Sequence, residues 1–260
     1  MGRVIPFSEI DLFLKDLKLP VGCIVDTQLL VASVYELHTF YEEAEFIHEK
    51  LSEYEIPIFS TVTTRQEFVD ITRRITISEV VADMCLANTK WRLTESARLE
   101  AKRIKARLDE RAKSDEAPTM SDREIKTLKK LFSPITQSGR DGWTEICKEF
   151  FEGRLALAWS DLVENLGLNY MDMKDPKIQK LFHEDLGWDK MCRISEASCL
   201  SSSDAMILNM FNCTTMDFLV SADFDTAYAA LVGSTDKPVL VPDSLYHNQL
   251  KTLQKWVDRH

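Results

Sequence analysis

The chain lacks any apolar run long enough to cross a bilayer, and its opening, MGRVIPFSEIDLFLKDL, places charges where a signal peptide needs an unbroken apolar stretch. A cytoplasmic protein with no membrane contact is therefore expected. The six cysteines (Cys23, Cys85, Cys147, Cys192, Cys199 and Cys213) never occur as C-x-x-C, so reduced and mostly buried thiols are expected rather than a zinc site or a disulfide framework. Also missing are H-E-x-x-H, the Walker P-loop, G-x-G-x-x-G and G-x-S-x-G. These absences exclude zinc peptidases, P-loop NTPases, standard dinucleotide enzymes and most α/β-hydrolases. There is no internal repeat and no low-complexity tract.

Positive charge is in deficit. A formal net charge of -10 over 260 residues argues against a polyanionic partner, because phosphate binding depends on Lys and Arg. The charge is unevenly spread, however: from Lys90 to Lys130 there are 13 Lys and Arg against 8 Asp and Glu. A basic segment on an acidic body suits a metal-dependent nuclease, with carboxylates at the chemistry and cations beside it. The ordinary alternative is a solvated helix of mixed charge.

An apolar content of 45% is enough for one large core, or for a core with an accessory lobe. Ser8–Leu17 reads as a short amphipathic helix, and VGCIV (21–25) as a buried strand ending on Asp26. A long helix is expected from Gln28 to Tyr54, then a strand IPIFSTV (56–62). The next helix should start at Thr63 or Thr64, with Glu67 about one turn in. Towards the other end, Ser201–Ser203 lead into a helix whose first turn holds Asp204. A strand DFLVSAD (217–223), a turn with Asp223 and Asp225, a short helix Tyr228–Leu231, a strand PVLVP (238–242) and a helix Asn248–Val257 follow. This alternation predicts an α/β fold, an open parallel sheet with helices on both faces.

No strand is legible between Ile75 and Ser198. Helices are expected at Ser78–Lys113, Ser121–Leu131, Thr144–Leu166 and Lys177–Leu181, with an exposed loop at 114–122. The domains read as 1–75 plus 199–260 for the sheet, and 76–198 for an inserted all-helical lobe. Trp143, Trp159 and Trp188 could stack on bases, but their helical surroundings favour core packing. Glu45 and His48 make a lone E-x-x-H, best read as an ordinary helix face.

Ligands of parallel sheets bind at the carboxyl ends of the strands, near a switch in strand order. Asp26 and Asp223 end strands, and Glu67 and Asp204 open helices able to face the same edge. Each alone has an ordinary explanation as a cap, a turn or a solvated residue. Gathered together, the four would repel one another unless a hard cation such as Mg²⁺ or Mn²⁺ neutralised them. A pair of such ions can activate water and stabilise a leaving oxygen on phosphorus.

The segments IVDTQLL, TTRQEFVDITRR, SSSDAMILNMF and DFLVSADFD resemble, in order, the acidic motifs of PIN-domain nucleases. That resemblance covers roughly residues 20–75 and 199–245 and leaves the middle of the chain unexplained. It implies a three-layer parallel fold and metal-dependent hydrolysis of RNA, single-stranded above all, with Asp26, Glu67, Asp204 and Asp223 as catalytic and metal-binding acids. Ser221, Thr27 and Asp225 would be auxiliary. The basic helix would guide nucleic acid through Arg98, Lys102, Arg103, Lys105 and Arg107. Family analogy also introduces a toxin neutralised by an antitoxin protein, and flap-type relatives acting on structured DNA or RNA. The other class of reading is a silent fold that binds a protein or RNA through its helical insertion. The sequence leaves the oligomeric state open, a homodimer included.

Overall fold

Short apolar runs make the strands. The computed structural model describes residues 2–17, 19–36, 38–85, 93–113, 119–134 and 141–257. In it β1 (Val4–Pro6), β2 (Cys23–Val25), β3 (Ile58–Ser60), β4 (Asn169–Tyr170), β5 (Phe218–Val220) and β6 (Val239–Val241) form one sheet in the order β1-β6-β5-β2-β3-β4. Every pairing is parallel. All strands but β4 are buried along their whole length, which is why they read as continuous apolar runs rather than as an alternation.

Helices cover both faces. Leu219 packs in one cluster with Ile207, Leu208 and Phe211 from the helix Ser202–Asn212. Its neighbour Phe218 points the other way and meets Phe13, from the helix Ile10–Asp16, edge-on at 5.3 Å between ring centres. At the entrance to β2, Gly22 holds φ at +143°, and a Cβ there would come within 2.6 Å of the Pro57 carbonyl oxygen. Only glycine lets β2 and β3 start this close together.

Two strands escape a pattern reading. β1 is three residues long and contains Pro6; as an edge strand paired only with β6, it tolerates the missing N–H. β4 is a two-residue exposed edge strand, inside the region where no strand was legible. Nothing in Asn169 and Tyr170 marks a buried run.

The three longest expected helices are each divided. The stretch 28–54 is not one helix but Thr27–Ala32 followed by Tyr41–Glu53. Ser33 is the C-cap of the first helix, its N–H bonded to the Leu29 carbonyl and its hydroxyl donating to the same oxygen at 2.8 Å, although the apolar spacing runs on. Thr144–Leu166 divides into Gly142–Phe151 and Arg154–Leu166, because Gly153 adopts a left-handed φ of +76°. The stretch 78–113 likewise divides into Val62–Met84 and Glu95–Lys113, with residues 86–92 outside the described residues. Of the loop expected at 114–122, residues 114–118 also lie outside them. Trp159 is buried, but Trp188 is 65% exposed, since it opens the helix Trp188–Ser198 while Met191 and Ile194 carry that helix's buried face.

The chain divides into two units. The first comprises 1–36, 40–68 and 162–260 and holds the whole sheet. The second comprises 37–39 and 69–161. Residues 162–198, which the sequence grouped with the helical insertion, thus lie in the unit of the sheet. The second unit has its own core, in which Ile77, Val81, Ala101, Ile104, Leu128 and Phe132 pack together. Its helix Asp122–Phe132 is capped by Ser121, which forms a reciprocal capping box with Glu124. All six cysteines are free, and among the described residues no helix is long and apolar enough to cross a membrane.

Candidate functional site

The sheet order reverses between β2 and β5, because the chain runs from β2 outward through β3 and β4 and then returns to β2's other side. That is the switch point at which parallel sheets open a crevice. Val25 and Val220 are register partners, so the residues that follow them, Asp26 and Ser221, leave the sheet side by side. The Asp26 N–H donates to the Val220 carbonyl at 3.0 Å, and the Ser221 N–H to that of Leu240 at 2.9 Å.

Asp26 is only 3% exposed, and Ser221 is fully buried. The Ser221 hydroxyl donates to Asp26 Oδ2, and the Leu29 N–H donates to Asp26 Oδ1 at 2.9 Å, which caps the helix Thr27–Ala32. The same Ser221 oxygen accepts the Asp223 N–H at 3.1 Å. One serine therefore positions two of the expected acids. Burial pushes the Asp26 carboxyl up to about 7; the donors Ser221, Leu29 and Ala222 pull it down, and the charge of Asp223 pushes it up.

Glu67 reaches the site through threonines. Thr61, rather than Thr63 or Thr64, caps the helix Val62–Met84 by accepting the Thr64 N–H at 3.1 Å. The Thr64 hydroxyl contacts the Val25 carbonyl at 3.4 Å and ties that helix to the end of β2. One turn on, Glu67 Oε2 accepts the Thr27 hydroxyl at 2.6 Å. The run T-V-T-T directly after a strand was the signal available for Thr61 and Thr64.

Asp204 lies in the first turn of Ser202–Asn212, where it accepts the Ser201 hydroxyl at 2.7 Å. Burial lifts its carboxyl to about 6; the Ser201 bond opposes this, and the charges of Asp223, Glu67 and Asp225 add to it. Asp223 caps Phe224–Leu231 through the Thr226 N–H at 2.8 Å, and exposed Asp225 follows in that helix's first turn. The acids are therefore electrostatic neighbours contributed by four separate segments of the chain.

They do not form a closed ligand cage. Among the described residues no three His, Cys, Asp or Glu side chains are gathered closely enough to hold one ion. Asp26, Glu67, Asp204 and Asp223 each give an oxygen to a nearby hydroxyl or to a helix N-terminal N–H. The donor set nevertheless fits a hard divalent cation in chemistry, being entirely carboxylate and hydroxyl oxygen. Two of its carboxyls are already held above their ordinary range, a condition that a bound cation would relieve.

The expected nucleic-acid contacts lie elsewhere in the chain. Arg98, Lys102, Arg103, Lys105 and Arg107 all belong to Glu95–Lys113, in the second unit. Arg98, Lys102 and Arg103 are exposed. Arg107 pairs with Glu124 at 2.9 Å, Lys105 with Asp109 at 2.7 Å and Arg103 with Glu100 at 3.7 Å. A residue overlooked in the sequence is Tyr170, at the carboxyl end of β4; it is 36% exposed, with the Arg65 guanidinium 5.9 Å from its ring centre. Compared with models of known families, with curated proteins and with solved structures, the chain matches none.

Proposed function

We propose that the chain is a divalent-metal-dependent nuclease that hydrolyses phosphodiester bonds of RNA, in the manner of the PIN-domain enzymes its motifs resemble. The observation that carries this reading is the approach of Asp26, Glu67, Asp204 and Asp223 to the switch point of a parallel sheet, with Asp26 and Asp204 raised by burial and by the charge of Asp223. Asp26, Asp204 and Asp223 would hold Mg²⁺ or Mn²⁺, some of them exchanging a present hydrogen bond for the ion. When bound, the ion supplies neutralisation of the acids and acidification of a water.

The chain's own groups do the rest. Ser221 fixes the orientation of Asp26 and the backbone of Asp223, and Thr27 holds Glu67 where it can position the attacking water. Water adds to phosphorus as the bond to the 3′ oxygen breaks; the leaving oxygen takes a proton, giving a 5′-phosphate and a 3′-hydroxyl. The test is Mn²⁺-dependent cleavage of a labelled single-stranded RNA by the wild type and by Asp26→Asn. Equal cleavage by both, or by neither, ends the proposal.

A second reading rests on the hydrogen bonds already in place. Carboxylates that serve as caps, with no three gathered on one point, are also what a non-catalytic binding module would carry. Calorimetry with Mn²⁺ separates the two. A nuclease site binds the ion and loses affinity in Asp223→Asn, whereas a silent module gives no metal-dependent heat.

A further inference from the structure

The second unit holds an open pocket of about 430 Å³, within the range of small-molecule sites. Its lining comes from helices of that unit alone. Trp143, Phe151 and Leu155 contribute a flat apolar wall, none of them fully buried, so the space is reachable. Two cations border it, Lys126 and Lys129, one turn apart on Asp122–Phe132 and both exposed.

The charges at this cavity are not balanced. Its third cation, Arg73, is committed to Asp70 at 2.5 Å and to Asp122 at 2.9 Å, and Arg74 lies a further 3.3 Å from Asp122. The cavity's own carboxylate is thus already neutralised. Among the described residues neither Lys126 nor Lys129 is in an ion pair. The Cys147 thiol lines the same space; burial raises it, and Lys129 opposes that more strongly than Asp141 adds to it. An apolar slot with a net positive mouth recognises a molecule with the opposite plan.

We propose that this cavity is a binding site for a small organic anion, with a flat apolar body against Trp143 and Phe151 and an acidic group between Lys126 and Lys129. The site stands apart from the nuclease reading, because every lining residue belongs to the second unit and none is an acid of the sheet edge.

Two fluorescent probes test it with the full chain, anilinonaphthalene sulfonate and its uncharged analogue phenylnaphthylamine. The sulfonate should bind with one-to-one stoichiometry and more tightly than the neutral dye. Reversing both lysines, Lys126→Glu with Lys129→Glu, should weaken the sulfonate roughly tenfold or more and leave the neutral dye unchanged. Leu155→Trp should fill the slot and abolish both. The bound sulfonate should slow alkylation of Cys147 but not of exposed Cys199, read by peptide mass mapping. An equal affinity for the two dyes, an unaltered affinity in the lysine double variant, or an unprotected Cys147 would each overturn the proposal. Both lysines are exposed, so that variant retains the fold and keeps the test decisive.

Discussion

Replacing Asp26 by asparagine should stabilise the metal-free protein at alkaline pH while removing the cleavage proposed above. In the folded chain Asp26 is buried and its carboxyl titrates at about 7, whereas in the unfolded chain it titrates near its ordinary value of 3.8. Between those two values the folded state holds more protons than the unfolded one, so stability falls as pH rises through that window and stays low above it. At about 1.4 kcal/mol per pH unit, the full loss is on the order of 4 kcal/mol. An asparagine keeps an oxygen for the Leu29 N–H and has no charge to bury. It alters the bond with Ser221, at a cost of about 1 to 3 kcal/mol that does not vary with pH. The informative quantity is therefore the change with pH: relative to wild type, the variant should gain about 3 kcal/mol between pH 5 and pH 8. Urea unfolding followed by circular dichroism, with EDTA present, measures it. A difference between the two proteins that is the same at both pH values would mean that burial does not raise the Asp26 carboxyl, which is then an ordinary ionised helix cap.

Three further outcomes follow from the same geometry. Burial holds the His48 imidazole down at about 4, so stability should decline as pH falls from about 6.5 towards 4, and His48→Gln should flatten that part of a melting-temperature profile; an unchanged profile would refute the assignment. Ser221→Ala leaves the buried Asp26 carboxyl without its hydroxyl donor and the Asp223 N–H without its acceptor, and should cost about 1 to 3 kcal/mol in chemical denaturation together with Mn²⁺ affinity by calorimetry. Gly22→Ala drives a Cβ into the Pro57 carbonyl at a positive φ and should destabilise by more than about 1 kcal/mol; a neutral substitution would show that β2 and β3 can separate without penalty.

The sequence alone determined the character of the central strands. VGCIV, DFLVSAD and PVLVP are legible because a strand covered on both faces must be apolar at successive positions, and that requirement is written locally. Local chemistry also marked the acids, since Asp26 directly follows VGCIV, Asp223 closes DFLVSAD three residues past the strand it was read to end, and Asp204 follows a serine cap. Only the tertiary structure decided that β5 pairs with β2. That long-range pairing sets Ser221 against Asp26, across 195 positions of sequence, and brings Asp223 into the field of both Asp26 and Asp204. Edge strands such as β1 and β4 were silent because one side of the ladder is open, and neither proline nor polarity is penalised there. The break after Ala32 was silent for the converse reason. Apolar spacing reports which face a segment buries, and it runs on past Ser33 whether or not the backbone between Ala32 and Tyr41 stays helical.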